Sequence, residues 1–90
     1  MNLEQKLKDE GFKNVYTWTD KPNTSYPTHQ HKGRVSLFVT SGDVTFKFED
    51  GEKKISTGER FDVPINKPHS AIVGPDGCSF VVGEDIKGDS

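Results

Sequence analysis

Three histidines stand in this chain, and two of them are one residue apart in "YPTHQH", residues 26–31. On an extended strand His29 and His31 share a face, because side chains alternate with a period of two. Their Cβ atoms then stand about 7 Å apart, so both imidazoles can converge on one ion. The third, His69, lies much later in "NKPHSA". A fold that brings it beside the pair makes a three-imidazole centre. Neutral imidazoles suit zinc, nickel, iron or copper better than calcium or magnesium. An open fourth position would admit water or a substrate. The plain alternative is that the three histidines simply line a polar pocket.

The neighbours of the pair are weaker candidates. Gln30 points away from it by parity. Tyr26 also has the opposite parity to His29, unless Pro27 shifts the register; its plainer role is to close a rim. Arg34 could reach a bound carboxylate, or it is simply solvated. Cys78, in "PDGCSFVV", has no basic neighbour and reads as a buried structural thiol. No acid pair, catalytic-triad pattern or phosphate loop is present.

Positioning these residues falls to strands. Residues 2–10 predict a short helix, with Leu3 and Leu7 on one face, Asn2 as its cap and Gly11 as its stop. From Phe12 the period becomes two. "FKNVYTWT", "TSYPTHQH", "RVSLFVT", "VTFKFE", "KKIS", "RFDVP", "HSAIV" and "CSFVVGE" read as strands. "SGD", the Asp50-Gly51 pair and "GPDG" read as the turns between them. Val35, Leu37, Val39, Val44, Phe46, Phe48 and Ala71 predict an apolar lining. Phe38 falls on the opposite face and needs a cover, from the helix or a second subunit. Tyr16 and Trp18, if on the outer face of the first strand, call for such a cover too. Seven or eight short strands with no crossover helix predict an all-β sandwich or barrel, and closure would remove the exposed edges.

Composition narrows the partners. The chain has 90 residues, 29% of them charged and 30% hydrophobic, with a formal net charge of −2. That size implies one domain with a thin core. Alternating lysines and acids, as in "KFEDGEKK", describe a solvated surface and argue against a nucleic-acid partner. No apolar run approaches membrane-span length, and "MNLEQKLKDEG" lacks the apolar core of a secretory signal. A single cysteine allows no intrachain disulfide, so a cytoplasmic location is expected.

Over residues 22–84 the sequence resembles the cupin family. The family's first motif is G, five residues, H-x-H, three or four residues, E, six residues, G; here it is met by His29, His31 and Gly42. Its second motif is G, five residues, P-x-G, two residues, H, three residues, N; here it is met by Gly58, Pro64 and His69. Departures are equally plain. The family's glycines at 23 and 66 are Asn23 and Asn66, its glutamate falls on Val35, and its final asparagine falls on Val73.

The resemblance implies a small all-β cupin barrel of the jelly-roll, double-stranded β-helix kind, with a short N-terminal helix over 1–11, the barrel over about 12–84 and a flexible tail over 85–90. It implies a divalent transition metal (zinc, nickel, iron or manganese) held by His29, His31 and His69 without the usual carboxylate. Three neutral ligands leave the ion's double charge uncancelled, which makes the centre more receptive to an anionic or chelating ligand. A small molecule in the barrel pocket and a homodimer are the implied partners. Three functions fit: a metal-dependent enzyme of oxygenase or isomerase type, a small-ligand binding or sensing domain, or a structural module with a vestigial pocket.

Overall fold

The computed structural model describes residues 2–85 of the chain. Its elements are α1 (Leu3–Asp9), β1 (Asn14–Asp20), β2 (Ser25–His29), β3 (Val35–Phe48), β4 (Gly51–Ser56), β5 (Arg60–Val63) and β6 (His69–Glu84). Asn2 caps α1, its side chain accepting from the Gln5 N–H at 3.1 Å. At the other end Gly11 N–H donates to the Lys8 carbonyl and Phe12 N–H to the Leu7 carbonyl. With Gly11 at φ 93° this is a Schellman stop, and Leu7 packs with Phe12 as that motif favours. The helix leans on the outer face of the sheet, where Leu7, Phe12 and Val81 form a small core with Phe38 packed against it. Phe38 thus finds its cover in the helix.

Two long strands organise the rest. The first half of β3 pairs with β5 on one side and with the end of β6 on the other. Its second half pairs with β4 and with the start of β6. β1 then extends the sheet from the end of β6, and β2 from its start. Inner-face residues of both halves meet in one core, including Val35, Leu37, Val39 and Val82 from one and Val44, Phe46, Ile55 and Val73 from the other.

Two sequence expectations are corrected here. "SGD" and "GPDG" do not reverse the chain; each lies inside a long strand, so the described residues form six strands, two of them long. Both segments are bends. The β3–β6 register shifts between Val39 and Ser41 and again between Gly42 and Val44. Bulges of this kind bend a strand and sharpen its twist without ending it. Gly42 and Gly77 take positive φ at the crossing, and a Cβ on Gly42 would stand 1.9 Å from the Gly77 carbonyl oxygen.

The second correction concerns closure. The expected closed cupin barrel is not formed: the hydrogen-bonded path runs β1-β6-β3-β4, with β2 added on β6 and β5 on β3. Among the described residues no ladder joins β1 to β2 or β4 to β5. β1 and β2 pair with opposite ends of β6, so their edges face across a gap that side chains line. The molecule is mostly β-strand with one short helix, in an open arrangement. The tail expected at 85–90 lies outside the described residues except for Asp85, which accepts from Arg34 Nε at 2.6 Å and from the Lys13 N–H at 3.1 Å.

The departures from the cupin glycines have a backbone explanation. Among the described residues, Asn23 and Asn66 are the non-glycine residues with positive φ, at 63° and 59°. Gly42 and Gly58, at the retained glycine positions, also have positive φ, 72° and 89°. Asparagine tolerates the left-handed region better than other side chains do. The conformations that the motif requires are therefore kept where its glycines are lost.

Candidate metal centre

His29 ends β2 and pairs with His69, the first residue of β6. His31 lies just past β2, outside the strand. Asn66 N–H donates to the His31 carbonyl at 2.8 Å, which ties the loop carrying His69 to the stretch carrying His31. The three rings meet, with centroids 4.8 Å (His29–His31), 4.6 Å (His29–His69) and 5.1 Å (His31–His69) apart. One ring nitrogen from each lies within 4.8 Å of the others. Such a cluster is capable of coordinating a divalent metal ion.

Hydrogen bonding fixes the tautomers. His29 Nδ1 is 2.7 Å from the Pro27 carbonyl, and His69 Nδ1 is 2.9 Å from the Lys67 carbonyl. A carbonyl only accepts, so both Nδ1 atoms carry the proton and both Nε2 atoms keep a lone pair. This is the outer support that metal-ligating histidines use. His69 is 1% exposed, and its Nε2 and His31 Nδ1 are buried with no hydrogen-bond partner among the described residues. Leaving a buried polar atom unpaired costs about 1–3 kcal/mol. The unpaired nitrogens fit an ion, which accepts lone pairs and nothing else.

Electrostatics agree. Burial pushes the His31 imidazole down from its usual 6.5 to about 4, with His29 and His69 adding to the effect. His69 is also lowered, chiefly by burial, although its bond to the Lys67 carbonyl works the other way. Both rings are held neutral at physiological pH, the state a ligand needs. Phe46 and Phe48 back His69, at 5.8 and 5.6 Å between ring centroids.

The rings open into a cleft of about 630 Å³ between the two halves of the sheet. Val35, Leu37, Val44, Phe46 and Ala71 line it, as the sequence pattern predicts. Tyr26 lines it too: the β2–β6 register shifts between Tyr26 and His29, which puts both on one face despite their odd spacing. Arg34 does not; its guanidinium lies 4.2 Å from the centre of the Phe12 ring and pairs with Asp85. Gln30 is exposed. Cys78 is buried, and burial pushes its thiol up to about 11, which makes it a poor nucleophile.

Several cleft residues escaped the sequence reading, and three of them bear on the site's chemistry. Tyr16 and Trp18 line the cleft, not the outer face. Alternation along β1 separates Tyr16 and Trp18 from Thr17, whose hydroxyl donates to Glu4 of the helix at 2.7 Å. Glu84 is the third. Phe80, Val82 and Glu84 share one parity and all line the cleft. Tyr16 donates to Glu84 at 3.3 Å, while Tyr26 and the Trp18 indole both donate to Asp20, at 2.5 and 2.9 Å. Burial and these carboxylates push both phenols up to about 12, so they remain protonated donors. Among the described residues, the lining of the cleft includes no lysine or arginine.

No protein-family model matches the chain, and a search of curated proteins returns no match. Solved structures do match. A protein from Neisseria meningitidis is 26% identical, with a TM-score of 0.67, over 93% of this chain and 96% of its own. The polyketide cyclase RemF from Streptomyces resistomycificus is 23% identical, with a TM-score of 0.68, over 91% of this chain and 62% of its own. A cupin-2 domain protein from Shewanella frigidimarina is 16% identical, with a TM-score of 0.66, over 76% of this chain and 65% of its own. This chain therefore spans less than two thirds of the length of the last two. The fold is similar to that of solved cupin and RmlC-like proteins, and the potential metal cluster among the described residues is three histidines without a glutamate. No helix among the described residues is long and apolar enough to cross a membrane.

Proposed function

We propose that this chain is a small metal-dependent cupin that binds a divalent transition metal (zinc, nickel, iron or manganese) through His29, His31 and His69 and acts on a small organic molecule in the adjoining cleft. The observation that carries the reading is the pair of buried, partnerless ring nitrogens at the meeting point of three imidazoles. When bound, the metal would supply a Lewis acid with an exchangeable position.

The chain's own residues supply the rest. The Pro27 and Lys67 carbonyls orient two of the imidazoles. Phe46, Phe48 and the aliphatic lining keep water from the inner end of the cleft and lower the local dielectric. Trp18 and Tyr26 offer flat faces for a planar ligand. With Val35 at the glutamate position, no carboxylate from β3 competes for the ion.

Metal content tests the reading directly. Protein purified without added metal and measured by plasma mass spectrometry should carry close to one equivalent of a single transition metal, and His69→Ala should carry almost none. Little metal in the wild type, even after reloading, would overturn the reading.

A further inference from the structure

The glutamate expected at position 35 is absent, yet a carboxylate has returned from the next strand. Val35 and Glu84 are cross-strand partners between β3 and β6, and both line the cleft. Directly paired residues present their side chains to the same face, with Cβ atoms about 4.5–5.5 Å apart. Glu84 is not one of the residues whose ligand atoms gather at the metal centre. It lines the same cleft as the three histidines, and it accepts from the Tyr16 hydroxyl at 3.3 Å.

This wall has a definite chemistry. A carboxylate only accepts hydrogen bonds, and it has room for about four, so the bond from Tyr16 leaves capacity for a ligand. The phenol beside it is already committed to Glu84. Among the described residues, no lysine or arginine lines the cleft to hold a carboxylate or phosphate. Remaining surfaces are apolar or aromatic, and Trp18 is 51% exposed along the opening. Bound at the three histidines, a dication would attract anions, but Glu84 puts a negative charge on the wall of the same cleft.

We propose that the Tyr16–Glu84 pair sets ligand choice, favouring a neutral, flat molecule that presents a hydroxyl or amino donor to Glu84 over a carboxylate or phosphate ester. The proposal rests on the metal-centre reading for what the inner end of the ligand meets, and on the cleft wall alone for the selectivity.

Trp18 is the only tryptophan, so its fluorescence reports binding in the cleft. Catechol and benzoate are the probes, titrated into wild type and Glu84→Gln with and without zinc, with zinc content measured in each sample. Wild type should bind catechol at least tenfold more tightly than benzoate, and Glu84→Gln should bring that ratio close to one without losing zinc. Tyr16→Phe frees an acceptor position on Glu84, so catechol affinity should hold or rise a few-fold; a merely structural role would lower it. This second variant keeps the test decisive if Glu84→Gln does not fold. A ratio unchanged in Glu84→Gln, a wild type that prefers benzoate, or no binding of either probe would overturn the inference. Absence of zinc from wild type, with the catechol preference intact, would count against the metal reading and leave this one standing.

Discussion

The two faces of the sheet carry polar groups under opposite rules. On the outer side, charges are matched. Arg60 on β5 donates two hydrogen bonds to Glu10 beyond the helix, at 2.9 and 2.6 Å, and its Nε reaches the buried Ser36 hydroxyl at 2.8 Å. Arg34 pairs with Asp85 across the same side. On the inner side, two buried histidine nitrogens have no partner and a carboxylate faces an apolar cleft. The outer groups answer one another, so their work is done when the chain folds. The inner groups are complete only when something else arrives. That difference, more than the presence of histidine, separates a clasp from a site.

Loading the inner face should erase the contrast, with the largest effect. A ligand at a hundredfold excess over its Kd stabilises the folded state by about 2.7 kcal/mol. For a domain of this size that raises Tm by roughly 10–20 °C. Calorimetry with zinc or nickel should show the rise, and a chelator should reverse it. A Tm indifferent to both would mean that the orphaned nitrogens are not a metal centre.

A backbone change should strike the link between the two histidine segments while sparing the outer clasp. Asn66 holds φ 59° and binds the His31 carbonyl. Asn66→Ala should cost about 1–2 kcal/mol, the penalty of a Cβ in the left-handed region. Asn66→Gly should be close to neutral in stability and retain metal. Chemical denaturation of the two variants reads the difference, and equal losses would show that conformation is not why asparagine stands there.

Acid should produce the smallest and most graded effect, and it should reach the two faces in different windows. His31 has its folded value depressed from 6.5 to about 4. Below 6.5 the unfolded chain takes up the proton that the folded one refuses, so stability is full above 6.5 and falls as pH drops toward 4. Glu10 is lowered from 4.5 to about 2, first by its hydrogen bonds from Arg60. Its contribution is present above 4.5 and is lost only as pH falls toward 2. Metal-free protein should therefore soften in two separable stages, the histidine stage first. Bound metal should shield the first stage, because protons and metal compete for the same lone pairs. Ring-proton NMR of the histidines against pH checks the order.

Much of this was legible before any coordinates. The helix and its stop followed from Asn2, Leu3, Leu7 and Gly11, because capping is local chemistry. The lining followed from alternation in "RVSLFVT" and "VTFKFE", because parity along one strand is also local. The spacing of His29, His31 and His69 pointed to a shared centre, and the loss of the glutamate at Val35 could be read directly.

Other features required pairing partners that no local pattern supplies. Gly42 and Gly77 mark turns in most sequences; here they let two long strands bend where they cross, and only the β3–β6 register reveals it. Parity sorted Tyr16 from Thr17 but could not say which side was the cleft until the helix settled on the other. Tyr26 moved to the histidine face through a register shift that its spacing concealed. Edge pairing decided that the sheet stays open, since among the described residues β1 and β2 each pair with β6 alone, at opposite ends of it. Glu84 became a neighbour of Val35 by cross-strand register alone, between residues far apart in the chain. The sequence determined which residue types were available and which way each faced along its own strand. Tertiary structure decided which strands met, because register is set by long-range packing of both faces at once.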